Sequence, residues 1–98
     1  MIYSVTGRET VASVATSIGF TAANIPPANK NVAYAVVQPL SGAIRVCIDS
    51  TTPTSTKGIK FAIEDIFEVW GDSAIRNFRA IDDGGTATLE VIYMGRGG

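Results

Sequence analysis

The chain contains no histidine and a single cysteine, Cys47, among its 98 residues. Without histidine, neither a Ser-His-Asp nor a Cys-His catalytic arrangement can form, and no imidazole is present to bind a metal. A lone cysteine cannot close a disulfide within the chain, and no second cysteine or histidine lies near it to share a metal ion. We therefore expect no enzyme activity, no cofactor and no metal, and a reducing compartment.

Long runs of one charge and long apolar runs are also lacking. Eight basic and nine acidic residues are interspersed along the chain and give a net charge of −1. Nucleic-acid binding needs a concentrated positive footprint, so we expect no nucleic-acid partner. The apolar stretches are far shorter than the roughly 20 residues that cross a bilayer. Since Met1 is not followed by a signal-peptide pattern either, we expect no membrane segment.

What the sequence does have is a series of short apolar segments separated by turn residues. In 44–49 and 86–93 apolar and polar residues alternate with period two, which is typical of strands that bury one face. Strands are predicted at 2–5, 14–21, 32–38, 43–48, 59–63, 66–70, 77–81 and 86–93. The predicted fold class is all-β, a single-domain antiparallel β-sandwich of about seven to eight short strands over 1–98. Residues 1–7 are predicted as an N-terminal arm and 94–98 as a Gly-rich C-terminal tail.

Turn residues predict how some of these strands connect. The turn at 39–42 predicts a hairpin between 32–38 and 43–48, and the Asp-Asp-Gly-Gly run at 82–85 predicts a tight hairpin before 86–93. Residues 22–31 contain two adjacent prolines and are predicted to cross the surface between two sheets or edges. The nearly all-apolar 32–37 predicts burial on both faces, one against the core and one against another subunit or a loop.

One segment also matches a helix. Val11, Val14, Ala15 and Ile18 fit the i, i+3, i+4, i+7 spacing of an amphipathic helix. We favour a strand here because valine, threonine and serine dominate the segment and each is less favourable within a helix.

Two pairs of adjacent carboxylates are candidates for acid–base catalysis or calcium binding. Glu64-Asp65 and Asp82-Asp83 lie in or beside predicted turns, so we interpret them as solvated turn residues rather than an acid and base pair. A calcium site at Asp82 and Asp83 would have two local carboxylates, against the six to eight oxygen ligands that calcium collects.

The aromatic residues are spread about one per predicted strand, which is typical of a sandwich core. Trp70 differs because it precedes Gly71 at a strand end, where a rim position is also expected. A sugar-binding role for Trp70 is therefore kept as an alternative to core packing.

Three segments of the sequence resemble those of a known group of proteins. They are AIRVCIDSTTPT at 43–54, followed by Gly58, then AIRNFRAI at 74–81 and ATLEVIY at 87–93. Together they resemble a group of small tailed-bacteriophage virion proteins. Ser50 stands where that group has a glycine after the aspartate.

The resemblance implies a β-sandwich building block of a virus particle, assembled in the host cytoplasm and residing in the virion. The implied function is a non-enzymatic capsid decoration (cement) protein that bridges major capsid subunits. Alternatives are a neck, tail, baseplate or fibre component of the same type, and a carbohydrate-binding module. The expected partners are the major capsid protein or another virion protein, and further copies of the chain, with a trimer favoured.

The candidate contact residues lie near the termini, in the 22–30 crossing, in the 50–57 turn and at the end of one predicted strand. They are Ile2, Tyr3, Ile25, Pro26, Pro27, Thr52, Pro53, Thr54, Trp70 and Arg96.

Overall fold

The computed structural model describes residues 3–11, 18–25, 31–49, 51–54, 56–83 and 87–96. These residues form seven strands and one short α-helix, and Ala22–Asn24 forms a 3-10 turn. The elements are β1 (Tyr3–Val11), β2 (Val32–Leu40), β3 (Ile44–Cys47), β4 (Ile59–Phe61), β5 (Phe67–Trp70), α1 (Asp72–Asn77), β6 (Arg79–Asp82) and β7 (Thr88–Arg96).

The strands form two antiparallel sheets. One sheet has four strands in the order β1-β7-β2-β5, and the other has three in the order β4-β3-β6. The prediction of an all-β, antiparallel sandwich is therefore confirmed. The arm and tail residues that the structure describes are strand residues that pair with one another, as in Tyr3 with Arg96 and Val5 with Met94.

The core lies between the two sheets. β7 alternates as predicted, with Leu89, Val91 and Tyr93 fully buried and the residues between them more exposed. From the three-stranded sheet, Ile44 and Ala80 are likewise buried. Other members of this core are Val11, Phe20, Ile25, Val32, Ala35, Val37, Val46, Val69, Ile75, Phe78 and Ala87.

Both predicted hairpins are wrong. β2 pairs with β5 and β7, whereas β3 pairs with β4 and β6, so the turn at 39–42 carries the chain from one sheet to the other. Likewise β6 and β7 belong to different sheets. Period-two alternation determines which side chains share a face, but the choice of partner strand depends on which sheet can bury that face.

The first predicted strand is longer than expected. β1 does not end at Gly7. The register shifts between Val5 and Gly7, so that Thr6 has no pairing partner in β7, and from Gly7, opposite Tyr93, pairing continues to Val11. Most of the second predicted strand, and of its helical alternative, lies in 12–17, outside the described residues. Of the remainder, Ile18 forms an isolated bridge with Ala80.

The helix α1 was not predicted. It begins after Gly71, whose φ of 91° favours glycine, and it carries Asp72 in its first turn and Arg76 in its last, as the helix dipole favours. Ile75 is its fully buried residue. With six residues, α1 is too short for apolar periodicity to identify it, and the predicted strand at 77–81 begins only at Arg79.

Candidate protein-contact face

Part of the outer surface of the four-stranded sheet is apolar. We call it the apolar face and define it by the outward residues Tyr3, Val5, Tyr34, Val36, Ile66, Trp70, Ile92 and Met94. Val5, Ile66, Trp70 and Ile92 are 65%, 68%, 48% and 39% exposed. Such a group of exposed apolar side chains on one sheet face is typical of a surface that binds another macromolecule.

Three aromatic rings meet at one end of the apolar face. Tyr34 and Trp70 stack with ring centroids 3.9 Å apart, and Tyr3 meets both rings edge-on at 5.4 and 5.5 Å. These residues come from three strands, β1, β2 and β5, so the fold gathers aromatics that are far apart in the chain. The sequence-based expectation of rings dispersed through the core does not hold for this group.

Gly95 of β7 allows the neighbouring segments at Thr6 and Asn31 to approach β7 closely at this end of the sheet. A Cβ at this position would lie 2.3 Å from Thr6 Cγ2 and 3.0 Å from the Asn31 carbonyl oxygen. Any other residue would therefore push apart the neighbouring chain segments that lead to Tyr3 and Tyr34.

A shallow cavity of about 210 Å³ lies farther along the apolar face. Val36, Ile66 and Ile92 supply its apolar walls, and Gln38 and Glu90 its polar rim. An apolar side chain of a partner therefore has a recess to occupy next to groups that accept or donate hydrogen bonds.

The charges beside the apolar face include one ion pair and one carboxylate that is bound by a neutral donor. Arg8 forms an ion pair with Glu90, which also accepts a hydrogen bond from Thr10 Oγ1. The Thr10 hydroxyl, followed by Arg8, holds the pKa of Glu90 below its ordinary value. Glu68 accepts a hydrogen bond from Trp70 Nε1 at 2.8 Å. A protein that covers Glu68 must therefore supply a compensating charge or hydrogen-bond donor, whereas Glu90 already has Arg8.

Glu9 lies on the inner side of β1 and holds the segment 21–24 in place by hydrogen bonds. Its carboxylate accepts hydrogen bonds from Thr21 Oγ1 at 2.6 Å, from Asn24 Nδ2 at 2.8 Å and from the Tyr93 hydroxyl. Partial burial raises the pKa of Glu9, but these hydrogen bonds outweigh it and leave the pKa below its ordinary value. Burial, and then Glu9, raise the pKa of Tyr93. This network stabilises the fold and lies away from the apolar face.

The outer surface of the three-stranded sheet is charged. Asp83 Oδ2 lies 3.3 Å from Lys60 Nζ and 3.6 Å from Arg45 Nε, and Arg45 Nη1 donates to the Gly58 carbonyl oxygen at 3.1 Å. The Asp83 side chain is only 15% exposed. The interpretation of Asp83 as a solvated turn residue is therefore wrong, because it neutralises two cations on this sheet.

Two predicted contact residues, Tyr3 and Trp70, meet on the apolar face, and the backbone of Arg96 pairs with that of Tyr3. Thr52 and Thr54 are exposed in the β3–β4 connection. Ile25 is 6% exposed and Pro53 is fully buried, so both pack mainly within the chain. The remaining candidates, Ile2, Pro26 and Pro27, lie outside the described residues.

Sequence reasoning did not single out Tyr34, Val36 or Ile92 as surface residues. The available signal was the continuous apolar run of β2, which predicted a second buried face. Its outward residues Tyr34 and Val36 are partly exposed, as expected if that second face is covered by something other than the described chain.

Among the described residues, no three or more histidine, cysteine, aspartate or glutamate side chains are grouped to hold a metal ion. In that same part of the chain, no helix has the length and apolar character needed to span a membrane.

Comparison of the chain with protein-family models, with curated proteins and with solved structures gives no match.

Proposed function

We propose that this protein is a non-enzymatic structural component of a tailed-phage virion, acting as a capsid decoration protein that bridges major capsid subunits. The observation that carries the proposal is the apolar face, a group of exposed apolar side chains on the outer surface of one sheet. The virion assignment is supported by the segments at 43–54, 74–81 and 87–93.

The apolar face is small enough for a moderate contact. The whole outer surface of the four-stranded sheet, with strands about 4.8 Å apart and averaging about 25 Å in length, covers roughly 500 Å², and the apolar face is part of it. A standard specific interface buries about 800 Å² on each partner, so a single copy would bind weakly. Avidity requires linked contacts, so the mechanism we assign to a decoration protein is that each copy bridges several capsid subunits and binds them at the same time.

The test is co-sedimentation with shells built from the major capsid protein encoded alongside this chain. The wild-type protein should sediment at a fixed ratio to capsid subunits. Ile92→Lys should weaken binding roughly 30-fold or more, since covering an unpaired lysine costs about 2 kcal/mol or more. Ile63→Lys is the matched control, because Ile63 is 50% exposed in the turn between β4 and β5.

Both variants should melt within a few degrees of the wild-type protein, since both side chains are exposed. No sedimentation of the wild-type protein with shells would argue against the decoration function. A neck or tail component would then be tested by the same assay with those assemblies. Equal binding by Ile92→Lys and Ile63→Lys would exclude the apolar face as the contact.

A second candidate, carbohydrate binding, is favoured by the rings of Tyr3, Tyr34 and Trp70 beside the Glu68 carboxylate. Aromatic faces and a nearby acceptor are groups on which sugars dock. Trp70 is the single tryptophan of the chain, so its fluorescence reports this position directly. A saturable fluorescence change with soluble oligosaccharides, abolished in Tyr34→Ala, would support this candidate, and an unchanged spectrum would exclude it for those sugars.

A further inference from the structure

Most sheet edges among the described residues are protected against pairing with another chain. The edge strands are β1, β5, β4 and β6. Edge strands expose unpaired backbone groups, and proteins usually protect them with bulges, charges, short length or a covering segment. Ile18 covers β6 through hydrogen bonds with Ala80 of 3.0 and 2.9 Å. β1 has a register shift after Val5, and β4 has three residues including the exposed Lys60.

β5 is short, with four residues, and its one charged side chain is the exposed Glu68. It contains no lysine, arginine or proline, and its pairing with β2 has no register shift. In the described part of the chain, no strand pairs with its other side. The free backbone groups on that side can therefore pair with another strand.

An apolar groove of about 310 Å³ runs beside β5, between the edges of the two sheets. The rings of Phe61 and Phe67 stack at 3.9 Å and bridge the sheets there. Ile48 and Ile59 border the groove and are 47% and 64% exposed. An occupant must therefore provide apolar side chains as well as backbone hydrogen bonds.

We propose that β5 of one copy pairs with β5 of a second copy across a two-fold axis, which joins two four-stranded sheets into one sheet of eight strands. A second copy fits because the two-fold axis brings an identical strand in antiparallel orientation. The same axis brings the exposed Ile48 and Ile59 of both copies into one shared groove. The pairing stands independently of the virion function.

Charge selects the register of this pair. Glu68 and Trp70 both point outward, and a two-fold axis perpendicular to the sheet keeps outward residues opposite one another. A register centred on Glu68 would place two carboxylates directly opposite, which is destabilising. A register centred on Val69 places Glu68 opposite the partner's Trp70, whose Nε1–H already bonds a carboxylate within its own chain. We assign the register centred on Val69.

The contact is small, and so we expect a weak dimer. Four residues of strand span about 14 Å and the two layers with their side chains about 20 Å, which gives roughly 300 Å² per copy. Stable complexes bury at least about 1,200 Å² in total, so association should appear only at roughly 100 μM or above. The dimer would also place two apolar faces on one continuous sheet surface, which a shell partner can bind as a unit.

The first test is the weight-average mass of the full chain by sedimentation equilibrium from about 10 μM to about 1 mM. The mass should rise from monomer towards dimer for the wild-type protein. Ile59→Lys should stay monomeric because it places two lysines in the shared groove, whereas Ile63→Lys should associate like the wild type. A wild-type mass that stays monomeric throughout, or equal association of the two variants, would overturn the proposal.

The second test is disulfide cross-linking in a Cys47→Ser background with a glutathione redox buffer. Glu68→Cys/Trp70→Cys should form covalent dimers, since directly opposite Cα atoms of an antiparallel pair lie about 4.5–5.5 Å apart, within the range that a disulfide spans. Arg8→Cys/Thr10→Cys is the matched control, with the same spacing on the β1 edge, and should remain mostly monomeric. Dimers that form equally fast from the control, or faster from Glu68→Cys alone, would overturn the pairing or its register.

These measurements are separable from the test of function. Ile59→Lys should lose self-association in the absence of shells. Ile92→Lys should retain self-association and lose shell binding.

Discussion

The two sheets of the sandwich share one core but have different outer surfaces. The four-stranded sheet presents Val5, Ile66, Trp70 and Ile92, each at least 39% exposed. The three-stranded sheet presents Arg45, Lys60 and Arg79, and Asp83 forms ion pairs with Arg45 and Lys60. Core packing requires only that the inner faces be apolar, so the apolar outer surface of one sheet needs a separate explanation.

Charge is used differently on the two surfaces. Beside the apolar face, Arg8 is 70% exposed, so its pair with Glu90 is solvated on one side. On the other sheet, Arg45 and Asp83 are 25% and 15% exposed, and Arg45 Nε has no hydrogen-bond partner within the described chain. The charged surface is thus important for folding stability, whereas the apolar face can vary with little cost to the fold.

Removing the carboxylate on the charged surface should have the largest effect on stability. Asp83→Ala leaves the partly buried Arg45 and the nearby Lys60 without their counter-charge, and we expect a loss of about 2 kcal/mol in the free energy of unfolding. The matched variant Glu90→Ala removes the counter-charge of Arg8, which is already solvated. It should therefore lower the free energy of unfolding by no more than about 0.5 kcal/mol. Urea unfolding of both variants measures the difference.

A double variant supplies the control. Adding Arg45→Met to Asp83→Ala removes the uncompensated charge and should recover part of the lost stability. If Asp83→Ala and Glu90→Ala cost the same, the contrast between the two surfaces would be wrong.

The next largest effect on the free energy of unfolding is expected at Glu9, whose hydrogen-bond donors are neutral. Because its pKa is lower in the folded chain, its stabilising contribution is present above the ordinary glutamate pKa of about 4.3 and is lost as the pH falls through the lowered folded value. Glu9→Gln should cost about 1.5 kcal/mol at pH 7 and should flatten the fall in stability between about pH 5 and pH 3.

Thermal unfolding of Glu9→Gln and the wild-type protein across that pH range tests this expectation. Added salt should change the cost of Glu9→Gln little, since Thr21, Asn24 and Tyr93 carry no charge, whereas it should reduce the cost of Asp83→Ala. An acid transition that is equally steep in both proteins would show that Glu9 is not the responsible group.

The sequence was sufficient for the fold class and for the strongest strand because these depend on local alternation. Leu89, Val91 and Tyr93 are buried as their period-two spacing predicts. The strand partners could not be predicted in this way, since 39–42 and 82–85 look like hairpin turns whether the next strand pairs locally or joins the other sheet.

The candidate face was only partly predictable for the same reason. Tyr3 and Trp70 were identified from their positions near a terminus and a turn, but their contact through Tyr34 depends on β7 lying between β1 and β2. Ile25 and Pro53 also lie beside turns, yet both are buried. Position next to a turn predicts exposure less well than the sheet face on which a residue lies.

The smallest effect on stability is expected on the apolar face itself. Ile92→Thr keeps a β-branched side chain at a 39% exposed position, so its free energy of unfolding should stay within about 0.5 kcal/mol of wild type. The same change removes apolar surface beside Val36 and Ile66 and should lower the fluorescence of a bound hydrophobic dye. Arg79→Thr, at an exposed β6 position of the charged surface, should leave both quantities unchanged. If Ile92→Thr lowered the free energy of unfolding by more than about 1 kcal/mol, Ile92 would contribute to the packing of the fold. Its exposure would then no longer support the apolar face as a binding surface.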